Sequence, residues 1–240
     1  MEEKASGIVL GGVNYAENDK ILNIFTLEKG VVTAKIKGVK KAGAKLKFAS
    51  EPFCFAEFIF SETAQRRTVI GASLIDSFYP LREDIKKYFA GGAVLEFIRR
   101  FYRESIVDQK EFVLAVNTLK EIAYGKNKTL SSLVQFLINA LKNVGYQLSL
   151  NGCFSCGKEI DGRTFFDYRI GGFFCEECFD GVGREINFIT KKTLEKADKG
   201  ELTDDDAGVV KALKLLDYYI CNRAEEKIVA LQELIKLCEV

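Results

Sequence analysis

Residues 153–178 read CFSCGKEIDGRTFFDYRIGGFFCEEC and contain two Cys-x-x-Cys pairs. Eighteen residues separate the pair Cys153/Cys156 from the pair Cys175/Cys178, a spacing typical of four-cysteine zinc sites. Each pair offers two thiolates from one tight turn, and the aromatic segment between them can fold as a hairpin that brings the pairs together. The spacing predicts one structural Zn²⁺ held by four sulfur atoms. Two redox dithiols or two structural disulfides are the alternatives.

The chain contains no histidine, which limits the chemistry that a bound metal could perform. Catalytic zinc sites usually keep an open coordination position and use imidazole ligands. Zinc deaminases acting on nucleic acids carry a His-x-Glu signature, which this chain does not have. We therefore expect a protein that is not an enzyme. A zinc hydrolase or deaminase acting on nucleic acid is the enzymatic alternative.

The composition is that of a globular protein: 240 residues, 48% hydrophobic and 29% charged, with a formal net charge of +1. The charged N-terminus and the lack of an apolar run of about 20 residues predict neither a signal peptide nor a membrane span. We expect a cytoplasmic protein with no membrane partner, in a reducing compartment where paired cysteines favour metal over disulfide. Three further cysteines lie in apolar patterns and are expected to pack in the core: Cys54, Cys221 and Cys238.

Short runs in the first 80 residues alternate apolar and polar side chains, which is the period-2 pattern of half-buried strands. Five such runs suffice for a small β-barrel over residues 1–80. The phenylalanines of the fourth run point to both faces, so one set is expected in the barrel core and the other exposed or against the rest of the protein. The predicted strands are Gly7–Val13, Ile21–Leu27, Val31–Val39, Phe53–Phe60 and Thr68–Ile75.

Within this barrel, residues 35–47 read KIKGVKKAGAKLK, with six lysines and no acidic residue. The run begins as a strand and continues through Gly38 and Gly43 as a loop. Its charge density indicates a surface for nucleic acid, and a solvated loop between strands is the plainer alternative. Tyr15 is the aromatic ring expected to face solvent near this run, and a tyrosine packed within its loop is the alternative.

From residue 81 onward apolar residues recur every three or four positions, the period of amphipathic helices. The pattern predicts a helical bundle formed by residues 81–150 and 186–240, with a zinc module at residues 151–185 inserted between them. Asp108 and Glu111 form a capping-box-like pair at the start of the second helix. The fold class is therefore α+β with several domains. Aromatic residues at helical spacing are expected in the core: Phe89, Phe97 and Phe101.

The chain resembles the RecO family of bacterial recombination mediators in the order of its parts. These are a small barrel with a lysine loop, followed by a helical bundle with an inserted four-cysteine module. Individual motifs are short, but their order and spacing make the match specific, and they run through most of the chain. They are Gly12-Val13-x-Tyr15-x-Glu17-x-Asp19, KGVKKAGAKL at residues 37–46, Glu51-Pro52-Phe53, SFYPLRED at residues 77–84 and the Cys-x-x-Cys-Gly hook at Cys153. The acidic stretch at residues 225–233 differs from the basic tail expected of the family.

The resemblance implies that the barrel is an OB-fold, whose open face and loops suit single strands. It implies a nucleoid-associated DNA-repair mediator that binds single- and double-stranded DNA and anneals complementary strands. RecR and the single-strand-binding protein are the implied partners, and RecA is loaded indirectly. The acidic tail of the single-strand-binding protein is expected to bind the helical part. The alternative is a zinc-containing RNA-binding or protein-adaptor module without mediator activity.

The lysine run is the predicted DNA contact, because lysines neutralise phosphates and release counterions while base pairing supplies sequence specificity. Arg66 and Arg67 are further candidates, with a solvated turn as the alternative. Arg163 and Arg169 are expected to offset part of the negative charge of a four-thiolate site. The predicted DNA-binding residues are Lys35, Lys37, Lys40, Lys41, Lys45 and Lys47.

Overall fold

A computed structural model describes residues 2–63, 66–126, 128–203 and 205–239. Its N-terminal strands are β1 (Glu2–Tyr15), β2 (Asp19–Thr26), β3 (Gly30–Ile36), β4 (Phe55–Thr63) and β5 (Arg66–Asp76). They form a closed barrel in the order β1-β2-β3-β5-β4. Neighbouring strands are antiparallel except β3 and β5, which pair in parallel through Lys35 and Thr68. The predicted five-stranded, OB-like barrel is confirmed.

Several predicted strand boundaries are wrong, and the largest difference is at β1, which begins at Glu2 instead of Gly7. The third strand ends at Ile36 instead of Val39, and the fourth begins at Phe55 instead of Phe53. Phe53 has a φ of 68°, a left-handed conformation that an extended strand does not accommodate. The chain around Phe53 therefore forms a turn before β4 begins.

The phenylalanines around β4 divide between two cores. Phe58 and Phe60 are buried inside the barrel with their rings 6.0 Å apart. Phe53 and Phe55 face the helices instead, where the Phe55 ring lies 6.0 Å from that of Phe112. One set fills the barrel and the other joins the barrel to the helical part, which was one of the two arrangements expected.

The described chain after the barrel forms six helices: α1 (Ile85–Phe101), α2 (Gln109–Tyr124), α3 (Thr129–Asn143), α4 (Phe188–Asp198), α5 (Asp206–Arg223) and α6 (Val229–Leu237). Aspartate or asparagine caps four of their N-termini by accepting a backbone N–H, as capping preferences predict. Helix α3 contacts α4 and α5, and α1 contacts α6, so helices from both halves of the sequence form one bundle. None of these helices is long and apolar enough to cross a membrane.

The cysteine-containing segment lies between α3 and α4, as predicted for an insertion. It contains β6 (Thr164–Asp167), β7 (Gly172–Cys175) and β8 (Arg184–Ile186) in a three-stranded antiparallel sheet with β6 in the middle. The ring of Phe166 packs edge-on against Tyr219 of α5 at 5.8 Å. A single hydrophobic cluster therefore continues from the outer face of the barrel through the helices into this module.

The predicted capping box at the start of α2 is only half formed. Asp108 accepts the backbone N–H of Glu111 at 2.9 Å, but the Glu111 side chain is fully buried and accepts instead from Asn143 of α3 at 2.9 Å. Within the described residues, its other carboxylate oxygen is buried and accepts no hydrogen bond. Burial, together with the neighbouring Asp108 carboxylate, therefore raises the pKa of Glu111 to about 7, against the lowering effect of the Asn143 hydrogen bond.

Candidate nucleic-acid interface and metal centre

The lysine run forms the connection from β3 to a short 3₁₀ turn at Phe48–Ser50. Five of its lysines have exposed side chains, and within the described ranges none of the five forms an ion pair: Lys37, Lys40, Lys41, Lys45 and Lys47. The backbone beneath them is fixed, because Gly38 donates its N–H to Asp19 at 2.8 Å and Lys40 donates its N–H to Asn18 at 3.1 Å. Val39 is buried in the barrel core between them. The loop therefore exposes its ammonium groups on a backbone that is fixed by hydrogen bonds and by the buried Val39 side chain.

Lys35 differs from the other five lysines of the run. Its Nζ lies 2.8 Å from Asp19 Oδ2 and 4.6 Å from the centroid of the Tyr15 ring. The hydrogen bonds from Lys35 and from the backbone of Gly38 lower the pKa of Asp19, so this carboxylate stays ionised. Lys35 is already paired and offers less net charge to a phosphate than its neighbours.

A groove of about 320 Å³ lies beside this pair, where β1, β2, β3 and β5 meet. Tyr15 lines the groove and is 44% exposed, which confirms the expectation of a solvent-facing ring. Arg66 and Arg67 of β5 also line the groove, and Arg67 donates a hydrogen bond to the Glu62 carboxylate at 2.9 Å. The groove therefore combines an aromatic ring with cations that are largely paired.

The four cysteines predicted as ligands meet at one point. Their sulfur atoms all lie within 4.8 Å of one another. Cys153 and Cys156 belong to a turn closed by the Gly157 N–H donating to the Cys153 carbonyl at 2.8 Å, while Cys175 ends β7. The Cys156 and Cys175 sulfur atoms are 4.0 Å apart, close to the roughly 3.8 Å edge of a tetrahedron of thiolates around zinc. This cluster can hold a metal ion.

The backbone around the cluster favours ionised sulfur. Burial opposes ionisation of Cys153, but hydrogen bonds from the backbone of Cys156, Cys175 and Ser155 outweigh it and lower the pKa of this thiol to about 6. Without a metal, hydrogen bonds with Cys175 and Cys156 raise the pKa of Cys178 to about 12, because neighbouring sulfur atoms do not all ionise together. A bound cation would replace that shared proton.

Two arginines between the cysteine pairs are bound to carboxylates. Arg163 lies 2.8 Å from Glu176 and 2.7 Å from Glu185, and so links the second cysteine pair to β8. Arg169 pairs with Asp167 at 2.5 Å. Both cations are members of ion pairs, and Arg169 lies in the turn of the β6–β7 hairpin, at the opposite end from Cys175. Their net offset of thiolate charge is therefore smaller than the sequence suggests.

Of the three cysteines expected in the core, Cys54 is buried as predicted, whereas Cys221 and Cys238 are less buried than predicted. Cys54 is buried in the barrel, and burial raises the pKa of its thiol to about 11. Cys221 and Cys238 are half-buried, and burial raises the pKa of each thiol. These three thiols therefore carry little thiolate at neutral pH.

Comparison with known families matches both parts of this architecture. Residues 1–78 match the model described as "Recombination protein O N terminal", and residues 82–232 match "Recombination protein O C terminal". The chain belongs to the RecO family. The first RecO match covers the barrel with its lysine loop, and the second covers the helices and the cysteine cluster.

Curated relatives in the RecO family are similar over most of their length. A protein of Acetivibrio thermocellus named "DNA repair protein RecO" is 24% identical over 220 residues, covering 86% of this chain and 88% of the relative. A protein of the same name from Caldicellulosiruptor saccharolyticus is 28% identical, covering 88% of this chain and 89% of the relative. One from Desulforamulus reducens is 29% identical, with 83% and 78% covered.

For this RecO-family chain, contact of the six lysines with DNA stays a prediction, and the structure adds one residue that sequence patterns missed. Glu104, from the connection between α1 and α2, lines the barrel groove and accepts the backbone N–H of Thr33 at 3.2 Å. No motif surrounds Glu104, and 71 positions separate it from Thr33. Its place in the groove follows from the packing of the helices on the barrel.

Proposed function

We propose that this protein is a DNA-binding recombination mediator of recombinational DNA repair. It binds single- and double-stranded DNA, anneals complementary strands and, with RecR, remodels the single-strand-binding protein so that RecA can load. The observation that carries the proposal is the lysine loop, with five exposed lysines on a fixed backbone. Membership of the RecO family, whose curated relatives are named DNA repair proteins, supports the same activity.

Annealing requires no catalytic group in this chain. Ammonium groups that neutralise phosphates release counterions and let two strands approach without mutual repulsion. Base pairing then selects the complementary sequence. The protein acts as a non-enzymatic mediator in the cytoplasm, associated with the nucleoid.

The four-cysteine cluster is proposed to hold one structural Zn²⁺. Four thiolates from two tight turns complete a tetrahedral shell, which leaves no position for a substrate. The ion would tie the Cys153 turn to the end of β7, and so fix the small sheet against α5. Its role is to stabilise the module.

A groove of about 530 Å³ along α1 and α6 supports the proposed binding of an acidic tail from the single-strand-binding protein. Its floor includes Phe89 and Leu95, and Arg99 and Arg100 stand at its edge with 48% and 42% of their side chains exposed. An apolar pocket edged by cations suits a tail that is acidic and ends in an aromatic residue. Glu96 lies beside both arginines and lowers the net charge there.

The proposal is tested by annealing two complementary oligonucleotides, each labelled for energy transfer and coated with the cognate single-strand-binding protein. We expect the full-length protein to accelerate annealing, and RecR to alter the rate on coated strands only. No acceleration on either naked or coated strands would contradict the proposal. An RNA oligomer that displaces DNA of equal length at lower concentration would favour the RNA-binding alternative.

A further inference from the structure

The barrel groove beside the lysine loop differs from the loop in its charge. Lys35 is paired with Asp19 and Arg67 with Glu62, while Arg66 carries no ion pair within the described residues. Glu104 adds a carboxylate to the same groove. The loop is thus strongly cationic, whereas the groove is close to neutral and contains an exposed aromatic ring.

Glu104 is held in the groove by contacts to the edge of β3. The chain around it pairs with Val31 as a short parallel bridge, in which Ser105 donates its N–H to the Val31 carbonyl at 3.1 Å. Gly30 permits this approach, because a Cβ at residue 30 would lie 2.0 Å from the carbonyl oxygen of Ile106. The position of the carboxylate is therefore built into the contact between barrel and helices.

The chemistry of a carboxylate here is selective. The negative charge of Glu104 repels phosphate from the groove, so the phosphates of a bound strand should lie on the lysine loop instead. Every unpaired base has an N–H donor on its Watson–Crick edge, and in a duplex that donor is already used. The single bond from Thr33 uses only part of the acceptor capacity of the Glu104 carboxylate, which is about four lone-pair sites.

Tyr15 supplies the second contact that a base needs. The Lys35 ammonium lies over the Tyr15 ring, 4.6 Å from its centroid, and Tyr15 remains 44% exposed. Stacking on an aromatic ring is tolerant of base identity, because every base has a π-face. A groove of about 320 Å³ accommodates one base between such a ring and an acceptor.

We propose that this groove is a subsite for one unpaired nucleobase, stacked on Tyr15 and hydrogen-bonded to Glu104, while the lysine loop holds the neighbouring phosphates. The inference rests on the proposed DNA-binding function and deepens it. It assigns to Glu104 the discrimination of unpaired strands from duplex, independently of sequence.

The test measures binding of the full-length protein to three labelled ligands of equal length by fluorescence anisotropy: a single strand, the same strand with abasic positions, and a duplex. Wild-type protein should prefer the base-bearing strand to the abasic strand by roughly fivefold or more. Glu104→Gln keeps an acceptor for Thr33 but removes the charge. It should therefore strengthen binding of abasic strand and duplex by roughly threefold, more than binding of the base-bearing strand.

Glu83→Gln is the matched control, since Glu83 is an exposed acid that does not line the groove. Tyr15→Leu should lower affinity for the base-bearing strand alone. Equal effects of Glu104→Gln and Glu83→Gln on all three ligands, or equal wild-type binding of base-bearing and abasic strands, would overturn the subsite and leave the proposed function standing. Failure to bind any of the three would overturn both.

Discussion

Joint replacement of Lys40, Lys41 and Lys45 by alanine tests whether the lysine loop binds phosphate. All three ammonium groups are exposed, and none forms an ion pair in the part of the chain that the structure describes. The loop is fixed by its backbone and by Val39, so truncating these side chains should leave its path unchanged. The change therefore removes charge with little effect on the fold.

The expected magnitude follows from the number of phosphate contacts. Each contact contributes about 0.7 to the slope of log affinity against log salt for single strands and about 0.9 for duplex. Losing three contacts should flatten the slope by about 2.1 and about 2.7 respectively. Raising salt from 50 to 200 mM lowers the affinity of both proteins for DNA, but for single strands the factor of loss should be roughly 20 times smaller in the triple variant than in wild type. For duplex this factor should be roughly 40 times smaller.

The assay is anisotropy of labelled oligonucleotides of two unrelated sequences over that salt range. The matched control replaces Lys110, Lys120 and Lys142 by alanine, which removes the same charge from exposed positions on α2 and α3. Lys35→Ala should change the slope less than Lys40→Ala, because Lys35 is paired with Asp19. An unchanged slope in the triple variant, or the same change in the control, would refute the assignment and move the DNA site elsewhere.

Three further predictions concern the metal, pH and the partner peptide. Metal analysis should find one zinc per chain. Cys175→Ser should lower both the metal content and Tm, while the control variant Cys221→Ser should leave the metal in place. Metal-free protein with Cys153–Cys156 disulfides would contradict this prediction. Folding raises the pKa of Glu111 from 4.5 to about 7, so the protonated side chain contributes to stability. This contribution is complete below about pH 4.5 and is lost as pH rises through 7. The free energy of unfolding should fall by about 3 kcal/mol across that window, and a Glu111→Gln variant with the same pH profile in denaturant titrations would disprove this origin. Labelled acidic tail peptide should bind full-length protein with affinity that falls as salt rises, and Arg99→Ala should weaken it; equal binding by the isolated residues 1–80 would place the peptide on the barrel instead.

Local patterns predicted the parts of this protein well where a short segment determines its own structure. Two Cys-x-x-Cys turns predicted the four-sulfur cluster, because each turn positions its own pair of thiols and one hairpin brings the pairs together. The period-2 and helical periodicities predicted the barrel, the bundle and the inserted module. The exposed lysines between β3 and β4 were predicted because a run without acids or long apolar segments has no reason to be buried.

Contacts between distant segments were decided only by the tertiary structure. The pairing of Lys35 with Asp19, the entry of Glu104 into the barrel groove and the burial of Glu111 against Asn143 each alter the charge that the sequence suggests. The capping-box pattern even predicted the wrong partner for Glu111. Sequence alone determined which segments become strands, helices and the turns that carry the cysteine cluster. Strand register and helix packing decided which charges are neutralised, because these join residues far apart in the chain, and local periodicity carries no information about them.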